Sequence, residues 1–327
     1  MSKNLLIKKK IKKFNKVIKV SGDKSISIRW VLLASQAIGR SRGYNLLMSE
    51  DVLAAIHCIK KLGIRVKIKK NYCEIIGNDI NGFKYKKNLI IDAKNSGTLG
   101  RLILGLLIKS PEKIKIIGDK SLSKRDFSRV TIPLKNFGVK FFYMKKNKLP
   151  LSILGTQSAK GIEYLENRGS AQCKSSIMFA ALNASGTTSI RAKKSRNHSE
   201  LLFKYLKIPI KIRKTKKFDF IDIKKPKKIN AFNYQIPGDI SSSAFFMVLT
   251  ILTEDSKLLI KNVNINPSRI GVITILKKMG AQITLKNKKN YRGEKISDIL
   301  IKSSKKLKAI NCPVELNSSA IDEFLVI

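Results

Sequence analysis

The chain has 327 residues and a formal net charge of +45, from 67 lysines and arginines against 22 aspartates and glutamates. Its hydrophobic fraction of 43% excludes a disordered chain and supports cores for two domains. The basic residues are spread along the whole length without an aromatic-interleaved stripe, which indicates solvated lysine faces rather than a specific nucleic-acid surface. The charge should nevertheless draw small anions toward a cleft.

The sequence also argues against a metalloprotein, a disulfide-stabilised protein and a membrane protein. Its four cysteines and two histidines lack the spacing of a disulfide framework or a zinc site: Cys58, Cys73, Cys173, Cys312, His57 and His198. We interpret the cysteines as small buried residues in a reducing compartment. The apolar runs 102–108 and 244–252 are too short to span a bilayer, and the lysine-rich N-terminus resembles neither a secretory signal nor a transit peptide. We therefore expect a cytoplasmic protein without a metal.

The most informative segment comes early, at residues 21–29. A Gly-Asp-Lys-Ser turn there separates a basic, strand-like stretch from an apolar helix predicted over residues 30–38. Backbone N–H groups and the helix dipole favour an anion at the beginning of a helix. Lys24 and Arg29 add full positive charge beside the hydroxyl of Ser25, and a guanidinium can hold a carboxylate with two parallel hydrogen bonds.

Further along the chain, polar turns of the same kind precede other apolar helices. Gly97 follows Asn-Ser and permits close approach of an anion, Arg125 is predicted to start a helix, and Arg196 is a candidate phosphate clamp. The remaining segments are Ser170–Ser175, the Pro-Gly-Asp-Ile-Ser-Ser turn at 237–242, and Asp322-Glu323 in an apolar context. A carboxylate such as Asp322 is predicted to be either a helix N-cap or a catalytic base.

A repeat links these segments. An amphipathic helix, a short turn and a strand recur four times at nearly equal spacing, with Gly63, Gly138, Ile208 and Gly280 at the turns. Repeats of this length indicate whole supersecondary units. The sequence therefore predicts an α/β protein of repeated β-α-β-α-β-β units, and the two Gly-Asp turns suit two chain crossings between lobes.

These ordered motifs resemble the 3-phosphoshikimate 1-carboxyvinyltransferase family, also called 5-enolpyruvylshikimate-3-phosphate synthase, from about residue 15 to the last residue. The resemblance implies two similar lobes that close around the substrates. One lobe is expected to combine residues 1–20 with 238–327, and the other to span residues 21–237 with three repeat units. It further implies an enzyme of aromatic amino-acid (chorismate) biosynthesis that acts as a monomer and needs neither a metal nor an organic cofactor.

The resemblance also implies roles for individual residues. Lys24 would touch both substrates and assist proton transfer, and Asp322 would take the proton from the 5-hydroxyl of shikimate 3-phosphate. The residues expected to hold shikimate 3-phosphate are Lys24, Ser25, Arg29, Ser170, Ala171, Gln172, Arg196 and Asp322. Those expected to hold phosphoenolpyruvate are Lys24, Gly97, Arg125 and Gln172.

The chain departs from the family pattern at three places. Ile28 stands where the family has His, and Asp126 stands where it has Pro, each beside a binding residue. Family members also continue past the Ile-Asp-Glu motif with further catalytic and phosphoenolpyruvate-binding residues. We expect from this that the sequence is C-terminally truncated, with one lobe incomplete and weak or no activity.

Three alternatives stay open on the sequence. The related UDP-N-acetylglucosamine enolpyruvyl transferase opens with a Lys-Asn-Ala-Ala turn and uses a loop cysteine, neither of which is present here near residues 24 and 120. A basic nucleic-acid-binding protein would concentrate its charge on one face and bind in a salt-sensitive way. A folded remnant without activity is the third.

Overall fold

The computed structural model describes residue 6 and residues 10–327, and the chain forms two compact units. The larger unit is Gly22–Ile236, and the smaller combines the segment that ends at Ser21 with Pro237–Ile327. Within the described part, no helix has the length and apolar character needed to cross a membrane.

The larger unit contains three four-stranded sheets, each with two helices. The first module comprises α1 (Lys24–Ser35), β2 (Ile38–Tyr44), α2 (Glu50–Lys61), β3 (Arg65–Ile68), β4 (Tyr72–Asn78) and β13 (Tyr234–Gln235). The second comprises β5 (Ile90–Asp92), α3 (Gly97–Leu106), β6 (Ile114–Ile117), α4 (Ser128–Lys135), β7 (Lys140–Tyr143) and β8 (Leu151–Leu154). The third comprises β9 (Glu163–Glu166), α5 (Ala171–Ala181), β10 (Thr187–Lys193), α6 (His198–Tyr205), β11 (Ile210–Lys214) and β12 (Phe218–Lys224).

The smaller unit contains one module of the same kind. Its elements are β1 (Asn15–Ile18), α7 (Ile240–Leu252), β14 (Lys257–Asn264), α8 (Gly271–Lys278), β15 (Gln282–Tyr291) and β16 (Glu294–Lys302), followed by α9 (Asn317–Ala320). Its core lies between α7, α8 and the sheet, where Ile240, Met247, Ile260 and Ile299 are buried.

All four sheets share one topology. The sheet orders are β13-β2-β4-β3, β5-β6-β8-β7, β9-β10-β12-β11 and β1-β14-β16-β15. In each sheet the first two strands are parallel, and the hairpin formed by the other two returns antiparallel beside the second strand. The predicted α/β fold of repeated β-α-β-α-β-β units is thereby confirmed.

The edge strands β1 and β13 reveal how the chain divides between the units. β1 directly precedes α1 in sequence but pairs with β14 of the smaller unit, while β13 directly precedes α7 but pairs with β2 of the larger unit. Each unit thus takes its first strand from the segment that leads into the other unit. At Gly22, where the chain enters the larger unit, a Cβ atom would lie 2.0 Å from the Asn45 carbonyl oxygen, so only glycine fits.

The predicted glycine turns are confirmed in three of the four copies. Gly63, Gly138 and Gly280 have φ angles of 85°, 96° and 101°, in the left-handed region that ends a helix. The prediction for the third copy was one residue off, because Lys207 and not Ile208 takes the positive φ, at 55°.

Two helix boundaries also differ from those predicted. The helix expected over residues 30–38 begins at Lys24 and ends at Ser35, because the Asp23 carboxylate accepts a hydrogen bond from the Ile26 N–H and caps it early. Ile38 already begins β2. Arg125 does not start a helix but follows a 3-10 turn in extended conformation, three residues before α4.

The cysteines are all free. Cys58, Cys73 and Cys173 are buried, whereas Cys312 is partly exposed, so the expectation of burial was wrong for that residue. Burial raises the pKa of the Cys73 thiol to about 12 and raises that of Cys58 further. Neither thiol is therefore a reactive thiolate near neutral pH.

Candidate active site

Three helix beginnings of the larger unit are capped by buried or half-buried side chains. Asp23 accepts from the Ile26 N–H at 2.9 Å, Ser96 from Leu99 at 3.2 Å and Ser170 from Cys173 at 3.3 Å. The helices are the first of each module, α1, α3 and α5. Each such beginning carries the partial positive charge of the helix dipole, which suits an anionic ligand.

Arg29 connects two of these helices with α6. Its Nε donates to Ser199 Oγ at 2.8 Å, its Nη2 to Ser175 Oγ at 3.0 Å, and its Nη1 to the Ser25 carbonyl at 3.0 Å. The residue is only 3% exposed. The structure thus places Arg29 against the hydroxyls of α5 and α6, while Ser25 contacts it through its backbone carbonyl in the same helix.

Lys24 is more open. Its side chain is 49% exposed, and Nζ lies 3.8 Å from Asp51 Oδ2 at the beginning of α2. Asp51 was not among the predicted site residues. Because this ion pair is long and half exposed, it holds the ammonium only weakly.

Arginines line a cavity of about 380 Å³ in the larger unit. Its lining residues are Arg101, Arg125, Asp126, Arg129, Ser170, Gln172 and Cys173. Burial lowers the pKa of the Arg101 guanidinium, and the nearby charges of Arg125 and Arg129 lower it further. With one carboxylate against three guanidinium groups, the cavity is suited to an anion.

Arg101 holds the predicted phosphoenolpyruvate residues together, although the sequence did not identify it. Its Nη1 donates to Gln172 Oε1 at 2.9 Å and to the Gly97 carbonyl at 3.1 Å. Gln172 Nε2 in turn donates to Thr98 Oγ1 at 3.0 Å. The available signal was its position one helical turn after Gly97, on the same face of α3.

Gly97 lies against two of the guanidinium groups. A Cβ atom there would lie 2.7 Å from Arg101 Nη1 and 3.1 Å from Arg125 Nη1. Arg125 is held by a hydrogen bond of 3.2 Å from its Nη2 to Asn95 Oδ1. The structure therefore brings Gly97, Arg125 and Gln172 close together, whereas Lys24, the fourth residue predicted for the same ligand, does not line this cavity.

The other predicted residues of the larger unit lie at the beginnings of α5 and α6. Ser170 and Ala171 are half-buried, and the Ser170 N–H donates to Glu166 Oε2 at 2.9 Å. Arg196 is half-buried in the turn two residues before α6. The paired hydroxyls of Ser175 and Ser199, 2.7 Å apart, join these two helices.

Asp322 belongs to the smaller unit. It follows the four-residue helix α9 and is not an N-cap, so that structural alternative was wrong. Its Oδ2 accepts from Arg269 Nη1 at 3.3 Å, and its side chain is 51% exposed. Arg269 is 5% exposed at its side chain and also lies 3.8 Å from Asp239 and 3.7 Å from Glu323.

Arg269 was also missed, but the repeat contained a signal for it. Arg125, Arg196 and Arg269 each stand two or three residues before the second helix of a module, namely α4, α6 and α8. Their common place shortly before the second helix was the available signal. Among the side chains described, no group of three or more His, Cys, Asp or Glu residues is arranged to hold a metal ion.

Comparison with known proteins gives consistent matches along almost the whole chain. Residues 8–325 match the family model of EPSP synthase (3-phosphoshikimate 1-carboxyvinyltransferase). A 3-phosphoshikimate 1-carboxyvinyltransferase of Thermoanaerobacter sp. (strain X514) is 39% identical over 98% of this chain and 74% of its own length. That of Bacillus subtilis (strain 168) is 35% identical over 97% and 73%. The structure of EPSP synthase from Acinetobacter baumannii superimposes with a TM-score of 0.86 at 36% identity, over 96% of this chain and 70% of that one.

Proposed function

We propose a function from one premise: the chain belongs to the EPSP synthase (3-phosphoshikimate 1-carboxyvinyltransferase) family. The function is transfer of the enolpyruvyl group of phosphoenolpyruvate to the 5-hydroxyl of shikimate 3-phosphate, with release of phosphate. It belongs to the shikimate pathway of aromatic amino-acid biosynthesis. The family match does not favour the UDP-N-acetylglucosamine enolpyruvyl transferase or a nucleic-acid-binding protein.

One observation carries the proposal. The larger unit contains two positively charged regions, which are Arg29 with its partners Ser175 and Ser199, and the arginine-lined cavity. Both regions adjoin helix α5. A reaction between two anionic substrates needs two such regions close to each other, because each substrate must be desolvated and oriented before it reacts.

We assign shikimate 3-phosphate to the first region. Ser25 and Arg29 would hold its carboxylate, and Ser170, Ala171 and Arg196 its phosphate. The supporting observation is that α1, α5 and α6 are already tied together through Arg29, Ser175 and Ser199. Gln172, at the beginning of α5, would lie along the ring.

We assign phosphoenolpyruvate to the arginine-lined cavity. Gly97 and Arg125 would contact its phosphate or carboxylate, and Gln172 would reach it from α5. Arg101 supports this arrangement because it bonds both Gln172 and the Gly97 carbonyl. The absence of a side chain at Gly97 leaves the two guanidinium groups room for an anion.

The proposed chemistry is an addition followed by an elimination. The 5-hydroxyl oxygen of shikimate 3-phosphate bonds to C2 of phosphoenolpyruvate while Asp322 takes the hydroxyl proton. At the same time C3 gains a proton with help from Lys24. Phosphate then leaves C2 with the C–O bonding pair and takes up the proton held by Asp322, while C3 returns a proton to Lys24 and the double bond is restored. Fixed positive charge around both anions lowers the barrier, and no redox step occurs. Cytoplasmic location, a monomeric state and independence of metals and cofactors stay predictions.

The test uses the full chain with both substrates. Because the sequence predicts weak or no activity, we expect inorganic phosphate to be released at most slowly, and only when phosphoenolpyruvate and shikimate 3-phosphate are both present, with the enolpyruvyl product detected by mass spectrometry. Release with UDP-N-acetylglucosamine in place of shikimate 3-phosphate would contradict the proposal.

A binding measurement separates recognition from turnover. Calorimetric titration with shikimate 3-phosphate should show binding that Lys24→Met or Arg29→Ala weakens by about 1.5–3 kcal/mol, roughly 10- to 100-fold. Lys60→Met, which removes an exposed lysine of α2, is the control and should leave the affinity unchanged. Equal affinities in all four proteins would count against the assignment.

A further inference from the structure

A buried ion pair joins α5 to α6 one helical turn after the residues that are proposed to bind phosphate. Lys174 Nζ lies 2.6 Å from Glu200 Oε1, and the two side chains are 0% and 4% exposed. Next to it, the hydroxyls of Ser175 and Ser199 lie 2.7 Å apart. Two consecutive residues of one helix thus contact two consecutive residues of the other.

Each member of this pair follows, by four residues, a residue that is proposed to bind the phosphate. Lys174 is four residues after Ser170, and its N–H donates to the Ser170 carbonyl at 3.1 Å. Glu200 is four residues after Arg196, in the first turn of α6. The ion pair therefore fixes the distance between the two chain segments that would bind the phosphate of shikimate 3-phosphate.

Stability alone does not explain a pair of this kind. Removing two charges from water is costly, and well-packed apolar residues of similar volume often give an equally stable or more stable protein. Lys174 Nζ and both Glu200 oxygens make no hydrogen bond with the residues that the structure describes, so the pair is held by attraction between the two charges and is not fully compensated. Unlike an apolar contact, an ion pair favours one fixed distance between two particular groups.

We infer that Lys174 and Glu200 are positioning residues, which hold the beginnings of α5 and α6 at the spacing required to bind the phosphate group of shikimate 3-phosphate. The inference rests on the proposed function. Lys174 contributes no net charge to the ligand site, because Glu200 neutralises it. Its effect acts through the placement of Ser170 and Arg196 rather than through contact with the substrate.

The decisive variant is the double substitution Lys174→Met/Glu200→Leu. It removes both charges while conserving volume, so we expect the full chain to fold with nearly unchanged melting temperature. Its dissociation constant for shikimate 3-phosphate, measured by calorimetry, should rise at least about tenfold because the phosphate ligands are no longer held in register. The KM for phosphoenolpyruvate should change much less, since Arg101 holds Gln172 independently.

Two further variants complete the test. The swap Lys174→Glu/Glu200→Lys restores an ion pair at the same place and should recover part of the lost affinity. Arg42→Met/Glu74→Leu removes an ion pair of β2 and β4 whose atoms lie 3.1 Å apart, and it should not alter the affinity.

The outcomes distinguish the inference from the proposed function. A folded Lys174→Met/Glu200→Leu protein with the affinity of the unsubstituted chain would overturn the inference and leave the proposed function standing. An unsubstituted chain that neither binds shikimate 3-phosphate nor releases phosphate would overturn the proposed function, and the inference with it. An equal loss of affinity in the Arg42→Met/Glu74→Leu control would show a general loss of structure and reject the positioning role.

Discussion

The two helices of each module begin in different ways. The first helices, α1, α3, α5 and α7, are capped by the side chains of Asp23, Ser96, Ser170 and Asp239. At the second helices, α2, α4, α6 and α8, the residue before the helix makes no such capping bond. In three of the four modules, however, an arginine stands two or three residues ahead of the second helix.

The two kinds of helix beginning would contribute to anion binding in different ways. A capped first helix presents backbone N–H groups and a dipole at a fixed place, which provides partial charge but little reach. An arginine ahead of a second helix provides full charge on a long side chain. The proposed site needs both, because Gly97 and Ser170 lie at first helices while Arg125 and Arg196 precede second helices.

The largest expected effect comes from removing charge before a second helix. Arg125→Ala should lower kcat/KM for phosphoenolpyruvate about 10²- to 10³-fold, as loss of a preorganised donor to a developing anion does. Lys124→Ala removes a neighbouring lysine that is exposed like Arg125 but does not line the cavity, and it should have little effect. Steady-state kinetics with saturating shikimate 3-phosphate would measure both, and similar losses in the two variants would refute the assignment.

A smaller effect is expected from adding a methyl group at the beginning of a first helix. Gly97→Ala should raise the KM for phosphoenolpyruvate about tenfold or more, because the new Cβ would lie 2.7 Å from Arg101 Nη1 and displace it. In Gly100→Ala, in the same helix, the new Cβ would lie 3.4 Å from the Phe127 ring and 3.6 Å from Ala93, away from the arginines, and KM should stay unchanged. An unaltered KM in the Gly97→Ala protein would show that the cavity does not bind this substrate.

The smallest effect tests the capping difference itself. Ser96→Ala should cost about 1 kcal/mol of the free energy of unfolding, since it removes the cap of α3. Ser49 precedes α2, and its hydroxyl makes no hydrogen bond with the described residues. Ser49→Ala should therefore leave the free energy of unfolding unchanged or raise it slightly. Urea denaturation of both variants would decide, and equal losses would remove the distinction between the two kinds of helix beginning.

The polar helix beginnings could be predicted from the sequence because capping residues form local patterns. Lys24, Gly97 and Gln172 occupy the first turn of a capped helix, and Ser170 is itself a cap. The roles assigned to these residues came from the family resemblance. Arg101 and Arg269 were missed for the opposite reason. Their importance comes from contacts with residues 71 and 53 positions away in sequence, and no local pattern reports such contacts.

The ends of two helices also could not be predicted from local sequence patterns alone. Whether the apolar segment after Asp23 begins at Lys24 or at residue 30 depends on the cap, which forms once the Asp23 side chain is buried. The left-handed residue of the third copy was placed at Ile208 because glycine was the expected signal. Lys207 adopts that conformation instead, and the Ile208 N–H donates to the Phe203 carbonyl at 3.0 Å, which ends α6 as a glycine would.

The sequence by itself determined the repeat, the α/β class and the polar helix beginnings, because periodicity and capping act over only a few residues. The family resemblance implied that the chain crosses between the lobes, but only the tertiary structure decided that β1 pairs with β14 and β13 with β2. It likewise decided that Lys174 and Glu200 form a buried pair. Strand pairing and burial depend on residues distant in the chain, and their free energy appears only when those residues meet.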